Sequence, residues 1–191
     1  MRQQLRPATL SILVLTVITG CAFPLLLFAI GAPIFPHQAG GSLLMRGGMV
    51  VGSELIGQEF TRPEYFQSRP SAAGEGYDGR SSGGGNLGPN NPKLTDDIRR
   101  LAQQYRQRNG LAQNAPIPID AVTRSGSGLD PHIRPENAAL QIPRVARARG
   151  LSQELVRRLV ADHTKRRQFG TMGNPRVSVL ELNLALDQQR K

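Results

Sequence analysis

Ala8-Thr9-Leu10-Ser11-Ile12-Leu13-Val14-Leu15-Thr16-Val17-Ile18-Thr19-Gly20-Cys21-Ala22-Phe23-Pro24-Leu25-Leu26-Leu27-Phe28-Ala29-Ile30 decides the class of fold. Of these 23 residues 17 are apolar, and no Asp, Glu, Lys or Arg occurs from Pro7 to Met45. At about 1.5 Å per residue such a helix spans roughly 35 Å, against about 30 Å for the hydrocarbon core of a bilayer. A buried helix of a soluble domain is seldom so long and so uniformly apolar. The hydroxyls of Thr9, Ser11, Thr16 and Thr19 can bond back to helix carbonyls, which lipid tolerates. The reading adopted is an uncleaved transmembrane helix over residues 8–32, after a cytoplasmic segment 1–7.

Two alternatives stand beside it. A cleaved secretory signal would be shorter, and this apolar run continues past any small-residue cleavage site. Ile18-Thr19-Gly20-Cys21 has the form of a lipobox, but the residues after Cys21 are apolar rather than a polar tether. A membrane-anchored extracytoplasmic binding module or lipoprotein is kept as the alternative. Arg2, Arg6 and the amino terminus precede the helix, and the nearest formal charge beyond it is Arg46. The positive-inside rule then puts the N-terminus in the cytoplasm and everything after the helix outside. Pro24 has no N–H to give the Gly20 carbonyl, which predicts a kink. Thr9, Thr16 and Gly20 fall on one face, where small side chains let another helix come close. Thr16, Gly20 and Pro24 are therefore candidates for packing on partner helices.

The chain has 191 residues, with 24 Lys and Arg against 14 Asp and Glu, a net charge of +10. Its single Cys excludes an intramolecular disulfide and a Cys-based zinc site. His37, His132 and His163 are too scattered in sequence to suggest a His metal site. Pro33, Pro36, Gly40 and Gly41 mark a connector over 33–47, leaving 48–191 for one core-bearing domain. Strands are expected at Met49–Val51, Leu55–Phe60, Ile117–Thr123 and Val177–Leu184, the last turning helical at its end. Residues 67–92 form a Gly/Pro-rich loop. Asn91-Pro92 opens a helix, with Leu94, Ile98, Leu101 and Tyr105 on its apolar face. Asp96 and Asp97 are assigned to its first turn, and Asn109-Gly110 ends it. Further helices are expected at about 135–149, interrupted at Pro143, and at about 153–167, capped by Ser152. The fold class is α+β: one N-terminal transmembrane helix, then one mixed α/β extracytoplasmic domain.

Arg144, Arg147, Arg149, Arg157, Arg158, Lys165, Arg166 and Arg167 form a basic run, but no aromatic interleaves with them as a nucleic-acid stacking platform requires. A solvated face, or one meeting anionic lipid or an acidic partner, is expected instead, with no nucleic acid. Gly83-Gly84-Gly85-Asn86-Leu87-Gly88-Pro89 lacks the Lys-Ser/Thr of a phosphate-binding Walker loop. Ser125, Ser127, Asp130 and His132 are hydrolase residue types, yet they lie within eight consecutive residues, whereas a catalytic relay gathers separate segments. Polar, uncharged Gly-rich loops without a catalytic set read as docking parts. The candidate docking positions there are Asn86, Gly88, Ser125, Gly126, Ser127, Gly128, Asp130 and His132.

Several segments carry a family resemblance: Val51–Phe60, Tyr65–Ala72, Asn86–Pro92, Asp120–Ile133, Gln141–Arg149 and Gly173–Asn183. With the N-terminal span they resemble, in order and over essentially the whole chain, the C subunits of bacterial Kdp potassium-transporting ATPases. Ser125-Gly126-Ser127-Gly128-Leu129-Asp130-Pro131-His132 is the most specific run. Arg134 stands where the family commonly has Ser; without that cap the next helix is expected to fray at its start. Gly85 and Asn90 stand where Ser and Thr are usual.

The resemblance implies a non-catalytic inner-membrane subunit of an ATP-driven, high-affinity K⁺ uptake complex. Its partners would be the A (channel-like), B (P-type ATPase) and F (small, single-span) subunits of that complex, and membrane lipid. The family's C subunit is described as a catalytic chaperone that raises the ATPase subunit's affinity for ATP, with the position of Gln141 as a proposed ATP contact. No cofactor is expected to bind tightly, and ATP would be met only through the complex. Cytoplasmic ATP and an extracytoplasmic domain are hard to join directly, so an indirect, conformational effect is expected. Residues 53–88 carry Glu54, Glu59, Glu64, Glu75 and Asp78 against Arg62, Arg69 and Arg80. This less basic portion is expected to face the channel mouth.

Overall fold

The computed structural model describes residues 2–189. Met1, Arg190 and Lys191, at the ends of the first and last expected segments, lie outside the described residues. The chain divides between Val51 and Gly52 into two compact units.

The first unit is dominated by apolar helix. α1 (Arg2–Val17), a π-helical turn (Ile18–Ala22) and α2 (Phe23–Ile34) follow without a break, and α3 (Pro36–Ala39) is a short further turn. Gln4–Ile34 is long and apolar enough to cross a membrane, and none of its apolar window is buried against other parts of the chain. The π turn is the local response to Pro24. Phe23 N donates to Ile18 O, so the hydrogen-bond register widens just before the residue that cannot donate. Thr19 Oγ1 returns a 2.7 Å bond to Leu15 O, which satisfies its hydroxyl within the helix. A hairpin of β1 (Leu43–Arg46) and β2 (Met49–Ser53) follows, the last two residues of β2 belonging to the second unit. Gly47 and Gly48 turn it at φ +57° and +82°, a pairing that only glycines adopt without strain.

The second unit holds the core. α4 (Pro92–Asn109), a 3₁₀ turn (Ile119–Ala121), β3 (His132–Ile133), α5 (Pro135–Arg149), α6 (Gln153–Asp162), β4 (Thr164–Lys165), β5 (Arg176–Ser178) and α7 (Val179–Gln188) follow in order. β5 is the middle strand of a small antiparallel sheet, pairing Ile133 with Val177 on one side and Thr164 with Val177 on the other. Phe66, Ile142, Val145, Val156, Val177, Leu182 and Leu186 close the main core between this sheet and α5, α6 and α7. A satellite cluster joins Tyr105, Ala121 and Val122 to Ile98 and Leu101 of α4.

Several expectations are corrected. Leu55–Phe60 is not a strand: Ser53 Oγ accepts from Leu55 N at 3.1 Å and turns the chain. Ile117–Thr123 is not a strand either: it is irregular around a 3₁₀ turn at Ile119–Ala121. Helix α5 runs unbroken through Pro143, because Pro143 and Ala139, whose carbonyl it leaves free, both face solvent. Helix α6 stops at Asp162, where His163 N closes the last turn by donating to Leu159 O at 3.1 Å. The final strand ends at Ser178; Val179, Leu182 and Leu186 then sit buried at helical spacing. In α4 the first turn contains no acid, since the helix begins at Pro92 and Asp96 and Asp97 lie one turn later. Its caps are as expected: Asn91 accepts from Lys93 N and Gly110 is left-handed. Arg134 supplies no side-chain cap to α5, but Asp120 Oδ2 accepts from Arg134 N at 2.8 Å and from Asn137 Nδ2 at 2.9 Å.

Candidate functional site

Residues 54–91 contain no helix or strand, yet they are tied down throughout. Ser71 is the hub. Its hydroxyl donates to Gly128 O at 2.7 Å and accepts from Tyr77 N at 2.9 Å and Ala73 N at 3.1 Å. Ser127 O receives both Gly83 N and Ser82 Oγ at 2.9 Å. Gly128 has φ +70°, and a Cβ there would lie 2.6 Å from Gly83 O and 2.7 Å from Ala73 N. Glycine is therefore required at the crossing of the two Gly-rich loops. Gly57 N donates to Leu129 O at 2.8 Å and draws a third segment in.

Charge fixes the same knot. Arg69 meets Asp130 Oδ2 at 2.9 Å, and Asp130 Oδ1 accepts from His132 N at 3.0 Å. Burial would raise the Asp130 carboxyl, but the bonds from His132 and Arg69 outweigh it and hold the group below the ordinary carboxylate range. Tyr77 donates its hydroxyl to Arg69 O, and burial pushes that hydroxyl up to about 12. Asp97 bridges Arg124 at 2.7 Å and Arg100 at 3.0 Å, and those two bonds lower its carboxyl in the same order.

A cleft of about 430 Å³ opens beside the knot, lined by Arg69, Arg100, Arg108, Arg124 and Arg144, with Glu59 and Glu75 among its acids. Most of these arginines already have partners. Arg144 donates to Asn109 Oδ1, Tyr65 O and Gln141 Oε1 at 2.8–2.9 Å, and burial lowers its pKa. Arg149 likewise turns inward: it meets Asp187 Oδ1 at 2.9 Å and lies 4.8 Å over the Tyr65 ring. The basic run is thus a solvated face at Arg147, Arg157, Arg158, Lys165, Arg166 and Arg167, but not at Arg144 or Arg149.

The expected docking residues separate by exposure. Asn86, Gly88, Gly126 and Ser127 are exposed, Asp130 and His132 half-buried, and Ser125 and Gly128 buried. Thr16, Gly20 and Pro24 are exposed on the apolar helix, in α1, the π turn and α2 respectively. Gln141 is 1% exposed, and its amide is committed at both ends. Oε1 accepts from Gln67 N and Arg144 at 2.8 Å, while Nε2 donates to Asn137 Oδ1 at 2.9 Å and Gln67 O at 3.2 Å. Ser71 and Arg69 were not singled out from the sequence because they meet partners far along the chain; Ser71 and Gly128 are 57 residues apart, and Arg69 and Asp130 are 61. Among the described residues no group of three or more His, Cys, Asp and Glu could hold a metal ion.

The chain thus combines one membrane-length helix with one α+β unit whose polar loops are locked by side-chain-to-backbone bonds. Residues 5–188 match the family described as KdpC: K+-transporting ATPase, c chain, and the chain belongs to that family. A Potassium-transporting ATPase KdpC subunit of Sorangium cellulosum is 53% identical over 191 residues, covering 100% of both chains. Proteins with the same name are 52% identical over 188 residues in Mycobacterium tuberculosis (98% of this chain, 100% of the relative) and 47% over 199 in Rhodopseudomonas palustris (98% of each).

Proposed function

We propose that the chain is a non-catalytic component of an ATP-driven K⁺ uptake complex, anchored in the inner membrane with its N-terminus in the cytoplasm and its α+β unit outside. It assembles with the channel-like, P-type ATPase and small single-span subunits of that complex. The apolar helix, with Thr16, Gly20 and Pro24 exposed, packs on partner helices. The exposed loop positions Asn86, Gly88, Gly126 and Ser127 dock the outer unit, and Asp130 and His132 hold their geometry. The chain raises the ATPase subunit's affinity for ATP by favouring one conformation of the complex. The observation that carries this reading is the unbroken helix Gln4–Ile34, none of whose apolar window is buried within the chain. The committed Gln141 amide favours the indirect route over direct nucleotide contact.

The test is protease treatment of spheroplasts combined with affinity capture of the full chain. The expected result is cleavage within residues 40–191 from outside, and recovery of two large membrane partners. Protection of that region would overturn the topology, and recovery of the chain alone would overturn the assembly and favour the anchored binding module.

A further inference from the structure

We propose that the hairpin over residues 165–172 docks on a bilayer surface rich in anionic lipid headgroups. Gln168 and Met172 exchange two backbone bonds of 2.9 Å, which leaves Phe169, Gly170 and Thr171 as a three-residue tip. Phe169 is 93% exposed and Met172 61%, so the two largest apolar groups of the tip meet solvent. Phe169 also has φ +52°, a backbone region that aromatic residues rarely occupy. Phe169 belongs to neither core cluster.

The charge around the tip is one-sided. No Asp or Glu occurs from His163 to Leu180, while Lys165, Arg166, Arg167 and Arg176 all do. Lys165 is paired with Glu181 at 3.4 Å; Arg166 and Arg167 are exposed and form no ion pair among the described residues. A tight turn with an exposed aromatic in its tip and two exposed arginines directly before it in sequence matches the layering of a lipid surface. Phosphodiester groups meet the arginines, and the ring enters the headgroup–acyl boundary.

A protein partner fits less well. A stable protein interface buries about 800 Å² on each side, which a three-residue tip does not supply. A bilayer needs no shape complementarity, and the chain's own membrane-length helix keeps one at high effective concentration. The proposal rests only on that helix being inserted, not on assembly with partner subunits.

The chain has no Trp, so Phe169→Trp, excited where its three tyrosines do not absorb, makes a single-tryptophan reporter in the full-length protein. The protein is reconstituted into phosphatidylcholine vesicles with or without phosphatidylglycerol, each containing brominated lipid. The expected result is blue-shifted emission and strong quenching only with phosphatidylglycerol. That quenching falls several-fold in Arg166→Glu/Arg167→Glu, or at 1 M salt, where the Debye length is about 3 Å. Solvent-like, unquenched emission in the anionic vesicles overturns the proposal, as does equal quenching in both compositions. A blue shift that needs added partner subunits and shows no bromine quenching also overturns it, and assigns the tip to a protein surface. Leu13→Trp, on the apolar helix, reports the anchor separately: quenching there in both compositions shows insertion whatever the hairpin does.

Discussion

Deleting the Gln141 amide would leave the half-buried Gln67 N–H without its acceptor and take one of several acceptors from the Arg144 guanidinium. Gln141→Ala is expected to cost about 2–4 kcal/mol, from lost bonds and a cavity, read as a lowered urea midpoint of the detergent-solubilised chain. Gly128→Ala should cost a similar amount, about 2–4 kcal/mol, because strain at φ +70° adds to a collision with Gly83 O. The knot also titrates. Asp97 and Asp130 have depressed carboxyls, so their contribution is whole above the unfolded Asp value of about 3.9 and disappears as pH falls through the folded values. The urea midpoint should therefore drop as pH is lowered from about 5 towards 2, and Asp130→Asn should flatten that slope. At this scale the sequence marks which residues are unusual but not what they touch. The Gly-rich run around Gly128 is visible as a turn; the need for glycine there comes from Gly83, 45 residues earlier. The start of α5 is similar: Asp120, which accepts from Arg134 N there, is 14 residues away in sequence.

Helix α5 carries the unit through its two inward arginines. Arg149 joins the end of α5 to α7 through Asp187 and Leu186 O, and to the loop through Glu64 O. Its side chain is 7% exposed, so Arg149→Ala removes a largely buried cation from the half-buried Asp187 and should cost about 2–4 kcal/mol in the same unfolding measurement. Elements with a local signature were legible: the apolar helix from its length, and α4 from Asn91-Pro92 at one end and Gly110 at the other. Val177–Leu184 was ambiguous because Val177 and Val179 alternate like a strand while Val179, Leu182 and Leu186 repeat like a helix, and packing against α6 decides for the helix. Leu55–Phe60 looks equally extended, but Ser53 turns it and Gly57 is pressed against Asp130 O, where a Cβ would lie at 2.6 Å. The β1–β2 hairpin does carry a local signal, Gly47-Gly48 between apolar residues, although the sequence reading placed only its second strand.

Across the whole molecule the net charge of +10 is unevenly distributed. Glu59 and Glu75 are exposed and line the main cleft, while six cations of the 144–167 stretch face solvent. On the proposed placement at a cation entrance, Glu59→Lys/Glu75→Lys should weaken the apparent K⁺ affinity of the assembled complex several-fold at low salt, with the difference shrinking at high salt. Unchanged affinity at low salt would show that this face lies elsewhere. The fold class, the anchor and the family were legible because they rest on composition and contiguous motifs. The loop knot was not, because its bonds join segments far apart.

That separation sets an order of events in time. Phe66 N and O are held by Asn183, 117 residues onward, and Gln67 by Gln141, 74 residues onward. During synthesis the greasy rod leaves the ribosome long before either clasp exists. On the proposed topology residues 54–91 cross the membrane as slack chain and take shape last, a high-contact-order step that is slow by nature. Whatever grips that slack first, a protease or a neighbouring chain of the complex, competes directly with maturation.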